Sequence, residues 1–450
     1  MALTNEMPFI ITKADIISSR GAGIFGINSN ITDFEIFEHI DKPYLTGQLS
    51  FVDNGGFLEK INFTGTDILE INITDEGSND KPINIVNRKF VIDKVLKIRT
   101  GTADAINVID LHITELHGWL DKTINATGVY QGDRQQIIEF ILKQWLAPSQ
   151  GSSTNPGLAL IKENGYTDAL RHYIIPQNTT PLSACMRIRN LDSSITGYPF
   201  FLFSALNNVG LRYQSLENIL SNNNNIISEP FFWDNATTNG LYGIKSFESH
   251  KTYNYAKLLR QGHFSSRNDH RDPTTGGSNY FDYIWSDVST NYNVPDDADK
   301  TFPITNTHIS PRTTFENLGM LSIDSVPEGR DHKEKLFANS LKGILSETSI
   351  TIGIEEARLF LNESNPSSNP RTGQTQSTFS NSKTLGQKIG IKFNTSESGV
   401  IREDPIKSGN YFIYATRFIF KRNSGGAVSG SVLLTCTKVL NNTPTGTNFV

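Results

Sequence analysis

A few short stretches carry residue types at spacings that could do chemistry. Gly21-Ala-Gly23-Ile-Phe-Gly26 is a literal G-x-G-x-x-G, the pattern that holds a dinucleotide pyrophosphate on the N–H groups of a helix N-terminus. That chemistry needs a helix directly after the last glycine. Here the chain runs on as Ile27-Asn-Ser-Asn-Ile-Thr-Asp-Phe-Glu-Ile36, Asn-rich and then β-like. Asp41 stands where a ribose contact would be sought, but without the helix there is no anion site, and the stretch reads as a flexible turn.

His112-Ile-Thr-Glu115-Leu-His117 suggests a zinc hydrolase, yet its spacing fits neither H-E-x-x-H nor H-x-x-E-H. On a strand, His112 points to one face while Glu115 and His117 point to the other. His263 with Asp269, His270 and Asp272 clusters beside Pro273 and a glycine pair, which reads as a solvated loop. Asp296-Asp-Ala-Asp299 lacks the alternation and the terminal Glu of a calcium loop. No Ser sits in a G-x-S-x-G elbow, and carboxylates such as Glu355-Glu356 cannot be paired across space from sequence alone. No catalytic residue, metal ligand or cofactor site is assigned, and the chain is not expected to be an enzyme.

Composition points the same way. A chain of 450 residues corresponds to about three domains at ~150 residues each. Charged residues make up 19%, against a typical ~25%, so neutral Asn, Ser, Thr and Gly coat the surface. Low charge suits broad protein contacts, whose cores are depleted in ions. The net charge of −5 argues against a nucleic-acid groove. The densest basic run, Lys94, Lys97 and Arg99, is broken by Val95, Leu96 and Ile98 and reads as a strand with an exposed basic edge. Cys185 and Cys436 are far apart and read as free thiols made in a reducing cytoplasm. No cleaved signal and no apolar run long enough for a membrane span is recognised.

The elements that would position any site are mostly strands. Leu49–Phe51, Ile68–Ile73, Phe90–Ile98 and Val108–Ile113 alternate apolar and polar residues. A glycine turn at Gly101 joins the last two as a hairpin. From about Trp119 the character changes. Asp133 with Gln136 forms a capping-box signal for a helix carrying Ile137, Ile138, Ile141, Leu142 and Trp145 on one face. Thr180-Pro181 opens a second helix, with Leu182, Cys185, Met186 and Leu191 inward. Phe200–Phe203 and Leu211–Tyr213 read as a hairpin, followed by Ser215-Leu-Glu-Asn-Ile-Leu220. After Phe231 β character returns, interrupted by a helix capped by Asp331 and Glu334. The stretch from Asn362 to Ser382 has almost no apolar residue and reads as a mobile loop.

A weak repeat links the two ends. Leu69-x-Ile71-x-Ile73, a loop, Phe90–Arg99, a glycine turn and a closing strand are matched by Ile389-x-Ile391-x-Phe393, a loop, Phe412–Lys421, a glycine turn and a closing strand. Simple alternation places Phe90, Ile92, Leu96 and Ile98 on one core face, and Phe412, Tyr414, Phe418 and Phe420 on the corresponding one. The expected architecture is mainly β with an α+β insertion: two similar antiparallel β-barrels in one chain. Residues 1–116 form the first barrel, 117–228 the middle domain, and 229–450 the second barrel, with inserted segments at about 265–330 and the loop 362–383.

Phe37-Glu-His-Ile-Asp-Lys-Pro-Tyr-Leu-Thr-Gly-Gln-Leu-Ser-Phe-Val-Asp53 resembles the opening barrel of baseplate hub proteins from contractile-tailed bacteriophages. Thr180-Pro181-Leu, Phe200–Phe203 and Leu211–Glu217 look like that family's middle region, and Ser408–Arg417 is similar to its last strand pair. Residues 296–330 and 362–382 show no match and read as insertions. The resemblance implies a homotrimeric ring whose two barrels per chain give pseudo-sixfold symmetry. Such a ring adapts a sixfold tail tube, or its initiator protein, to a threefold central spike protein among other baseplate proteins. It also implies a place in the virion tail baseplate and a role carried by surfaces, with no residue transferred by position. Related hubs of tailocins and secretion systems would look alike. The rival class is a carbohydrate-binding or carbohydrate-cleaving β protein, suggested by the aromatics between Tyr253 and Tyr292.

Overall fold

The structure is a computed structural model. It describes residues 9–75, 83–100, 107–146, most of 158–221, 230–233, 242–249, 263, 265–271, 278–284, 310–311, 338–345 without 344, 349–361 without 356, 385–397, 400–404, 407–423 and 426–438. The first part of the chain supplies β1 (Phe9–Ile17), β2 (Ile24–Gly26), β3 (Ile31–His39), β4 (Thr46–Asp53), α1 (Phe57–Ile61), β5 (Asp67–Asp75), β6 (Ile83–Thr100) and β7 (Asn107–Glu115). The middle adds α2 (Leu116–Asp121), β8 (Val129–Gly132), α3 (Arg134–Trp145), β9 (Leu160–Ile161), β10 (Arg171–Ile174), α4 (Pro181–Asn190), β11 (Phe200–Ser204), β12 (Leu211–Ser215) and α5 (Leu216–Ser221). The last part holds β13 (Phe231–Trp233), β14 (Ser246–Ser249), β15 (Ser265–Arg271), β16 (Ser278–Ile284), β17 (Ser310–Pro311), β18 (Ser349–Ile354), β19 (Lys388–Glu397), β20 (Val400–Glu403), β21 (Gly409–Arg422) and β22 (Val428–Lys438).

The chain is mainly β, as its alternating stretches require, and its principal sheet bends into two rings. The order β3-β4-β7-β6-β5-β1-β22-β21, with β21 returning to β3, closes the first through antiparallel pairs throughout. Among the described residues its narrowest seam is β1 to β22, one pair at Phe9 and Val428. The second follows β13-β19-β21-β22-β18-β14. It closes where Phe232 N–H donates to the Tyr242 carbonyl at 3.0 Å and Ile244 N–H donates to the Phe232 carbonyl at 2.9 Å. The hairpin of β21 and β22 therefore belongs to both rings. Gly409–Phe412 of β21 pairs with β19 in the second, and Ala415–Lys421 pairs with β3 in the first.

Six strands from each end share one order. Numbered along the chain, β1, β3, β4, β5, β6 and β7 lie side by side as first, fourth, fifth, sixth, third, second; β13, β14, β18, β19, β21 and β22 do the same. Among the five side-by-side pairs of each set one differs in direction, antiparallel between β1 and β5 but parallel between β13 and β19.

Both predicted core faces need correction, for one physical reason. A one-residue bulge moves the following side chains to the opposite face. In β6 the register shifts between Ile92 and Lys94 and again between Val95 and Lys97. Phe90 and Ile92 are buried, at 1% and 0% exposure, but Leu96 is 42% and Ile98 45% exposed. Val95, opposite the buried Leu111, takes the inward place assigned to Leu96. Ile98 stands opposite the buried Ile109, where β6 has run past its last pair with β5 at Ile92. In β21 the shift falls between Ile413 and Ala415. Phe418 and Phe420 face the first barrel core with Phe34 and Ile36, whereas Phe412 stands beside Lys388 and Thr437 on the other side of the sheet. Phe412, Tyr414, Phe418 and Phe420 are nonetheless all buried, because both faces of the shared hairpin are covered.

The middle region has a core of its own, built from Ile137, Ile138, Ile141 and Leu142 of α3, Leu182, Cys185 and Ile188 of α4, and Phe200, Leu202, Leu211 and Tyr213 of β11 and β12. The Asp133 side chain accepts from Gln136 N–H, and Gln136 reciprocates to the Asp133 backbone, so the capping box forms as predicted. Thr180 caps α4, with Pro181 in its first turn. Both cysteines are free and buried. The stretch 362–383 and the helix expected after Asp331 up to residue 337 lie outside the described residues, as does most of 265–330 apart from the small sheet of β15, β16 and β17. No helix among the described residues is long and apolar enough to cross a membrane.

Candidate functional site

The stretches that suggested chemistry take structural places. Gly21 to Gly26 turns the chain from β1 into β2, a strand paired back on Asp15–Ile17, where a dinucleotide site would need a helix. His112 and Glu115 diverge as strand alternation requires. His112 Nδ1 meets Asp93, which also accepts from Thr114 Oγ1 at 3.1 Å and Lys122 Nζ at 2.9 Å. Glu115 accepts from Leu45 N–H at 3.0 Å and Ser204 Oγ at 2.9 Å, and His117 Nε2 lies 2.7 Å from the Pro43 carbonyl. Among the described residues, no group of three or more His, Cys, Asp or Glu could hold a metal. The His263 ring packs against Gly343. Glu355 pairs with Lys245 at 3.2 Å, while Asp272, Glu356 and Asp296–Asp299 lie outside the described residues.

A buried polar cluster sits where the middle region meets the first barrel. On β3 the inward series Ile31, Phe34, Ile36 ends in Glu38, 2% exposed. A carboxylate at an inward position must be matched by donors, since an unpaired buried charge costs several kcal/mol. Thr416 Oγ1 donates to Glu38 Oε2 at 2.5 Å, and Leu206 N–H donates to its other oxygen. Arg88 of β6 donates to the Ala205 and Leu206 carbonyls at 3.0 and 2.7 Å. Burial raises the Glu38 pKa above the ordinary carboxylate value, with these donors and the charges of Arg88 and Arg212 pulling it back. Burial likewise lowers the Arg212 guanidinium to about 10, opposed by Glu38. The Ala205–Leu206 segment is thus held by charged groups from β3 and β6, with Thr416 of β21 supporting Glu38 from behind.

A second latch lies beside it. Asp41 pairs with Arg189 of α4 and with Lys342 at 3.0 Å, and its own N–H donates to His39 Nδ1 at 3.0 Å. Burial opposes ionisation of Asp41, but Lys342 and Arg189 outweigh it and hold the carboxyl below its ordinary range. Burial and the nearby Arg189 charge push Lys342 down to about 8. Lys388 reaches the Leu220 carbonyl at the end of α5, and Thr437 Oγ1 donates to the Leu345 carbonyl at 3.1 Å. Arg189 to Asp41 and Leu220 to Lys388 tie the middle region to the end of β3 and to β19.

Sequence reasoning did not single out Glu38, Arg88 or Arg212. The usable signal was Glu38 continuing the inward alternation Phe34-x-Ile36-x-Glu38, a charged residue where the pattern demands an apolar one. Of the eight predicted core positions, six are buried; Leu96 and Ile98 lie exposed on β6, with Lys94, Lys97 and Arg99 exposed around them.

No protein-family model matches the sequence, and no curated protein sequence matches it. Solved structures do match. A tail protein from Neisseria meningitidis aligns over 96% of this chain and 97% of its own, with a TM-score of 0.52 and 10% identity. The 43 kDa tail protein of prophage MuSo2 from Shewanella oneidensis aligns over 95% and 98%, with a TM-score of 0.51 and 9% identity. At such identities the likeness speaks for the backbone arrangement alone, and it extends over nearly the whole of each chain. This chain has the fold of these two tail proteins.

Proposed function

We propose that this protein is a structural tail component, the hub of a contractile tail. It forms a homotrimeric ring between the sixfold tail tube, or its initiator protein, and the threefold central spike, in contact with other baseplate proteins. One observation carries the proposal: two rings of shared strand order, fused through one hairpin. Two similar barrels per chain give three chains six similar units, which is what joining a sixfold to a threefold partner requires. The common strand order supports an internal duplication dividing the chain near residues 116 and 228, with the C-terminal hairpin lent to the first unit. The two tail-protein folds support the class of assembly.

The two tail-protein folds support a structural rather than a catalytic role. On this proposal the protein sits in the tail baseplate of the virion. The carbohydrate alternative rests on aromatics between Tyr253 and Tyr292 whose side chains lie outside the described residues. Light scattering coupled to size exclusion, with and without a purified spike partner, tests the proposal. A trimer mass is expected; a monomer under both conditions would overturn it.

A further inference from the structure

The shared hairpin changes partners at one residue. Ile413 is held on the second ring's side: its N–H donates to the Gln387 carbonyl at 2.9 Å, and its carbonyl accepts from Gly386 N–H at 3.0 Å. Directly after it, the Tyr414 carbonyl accepts from Ile40 N–H at 3.0 Å, at the end of β3. Tyr414 is the extra residue of the β21 bulge, since Ile413 stands opposite Cys436 and Ala415 opposite Thr435. Without that residue the inward side chains of the strand would change face between the rings. With it, Ile413 beside Cys436, Thr416 beside Leu434 and Phe418 beside Val432 keep to one face, and all are buried.

Two rows of paired, buried residues therefore cross from one ring into the other. One is Ile36, Phe418, Val432 and Ile354; the next is Glu38, Thr416, Leu434 and Ile352. Each row starts on β3 of the first ring and ends on β18 of the second. One apolar core accordingly holds Phe34, Ile36 and Phe420 together with Ile352, Ile389 and Phe393. Unfolding the first ring alone would leave Phe418, Phe420 and Val432 of an intact hairpin in water, and unfolding the second alone would do the same to Ile413, Leu434 and Cys436. Phe201, Phe203 and Leu220 of the middle region join this core, and Lys388 ties β19 to the end of α5, which makes the middle region a second route between the rings.

We propose that the shared hairpin makes the two rings one cooperative unit: they open together, and a load on either is carried by both. The coupling is a property of the single chain and holds whether or not the chain trimerises.

Hydrogen exchange of the full-length chain tests it, read by mass spectrometry on peptides from β4 and β7 of the first ring and from β18 and β19 of the second. Ile92→Val weakens the first ring and Ile391→Val the second, each on a strand outside the hairpin. Amides exchange through cooperative openings, so each variant should speed the slowest amides of both rings by the same factor, about three- to tenfold for one lost methyl group. Speeding confined to the substituted ring would overturn the proposal. If a valine variant leaves its own ring unchanged, Ile92→Ala and Ile391→Ala give the same comparison with a larger shift. Repeating the comparison in a Lys388→Met background separates the two routes. The spread to the other ring should persist there; its loss would assign the coupling to the middle region and overturn the part given to the hairpin.

Discussion

Glu38 and Thr416 face each other across the seam where the two ends of the chain meet, directly paired between β3 and β21 and joined by a 2.5 Å hydrogen bond. They are 378 residues apart in sequence. The first barrel is therefore closed only by strands that arrive at the end of the chain.

That seam gives the first prediction. Thr416→Val leaves one buried carboxylate oxygen short of a donor and should cost about 1–3 kcal/mol. Glu38→Ala strands the Leu206 N–H and removes the charge facing Arg88 and Arg212, so about 3–5 kcal/mol is expected. Urea titration followed by fluorescence would measure both. Equal, small losses would show that the network contributes little to holding the middle region.

Two positions that simple alternation treats alike should separate on mutation. Phe418 is fully buried, so Phe418→Ala should cost about 3–5 kcal/mol. Leu96 is 42% exposed, and Leu96→Ala should stay within about 0.5 kcal/mol in the monomer. Thermal melts of both variants under monomeric conditions decide it; a large loss from Leu96→Ala would mean that β6 has no bulge there.

A buried carboxyl in the middle region should leave a mark on the pH dependence of stability. Asp192 accepts from Arg134 at 3.0 Å and from the hydroxyls of Tyr166, at 2.7 Å, and Tyr213. Burial raises its pKa from 3.8 to about 6, while Arg134 and the Tyr213 and Tyr166 hydroxyls pull it down. With the folded value above the unfolded one, the folded state binds the proton more tightly. The contribution of Asp192 is therefore present in full below about 3.8 and fades as pH rises through about 6. The unfolding free energy of wild type minus that of Asp192→Asn should grow as pH falls across this window. A difference that is flat, or that shrinks towards low pH, would contradict it.

Much of this fold was legible because its signals are local. The alternation of Leu69–Ile73, the Asp133–Gln136 cap and the Thr180-Pro181 start all act within a few residues, and each appears where the pattern put it. The repeat signal between Phe90 and Phe412 also located the two strands that occupy matching places in the shared order. What stayed hidden depends on single-residue slips and on distant pairing. Nothing in Val91-Ile-Asp-Lys-Val-Leu-Lys97 announces two bulges, so Leu96 took a core place that belongs to Val95. Nothing local joins Phe34 to Phe420, which makes the shared hairpin invisible to pattern reading. The donors around Glu38 come from segments far apart in sequence, so only the anomaly of an inward carboxylate was there to be read.

The central claim, a ring-forming hub, is met most directly by electron microscopy of the purified full-length protein. The expected particle is a closed ring of three chains whose six barrels appear as six similar densities around a threefold axis. Isolated single chains, or open assemblies in which the barrels do not alternate around an axis, would contradict it.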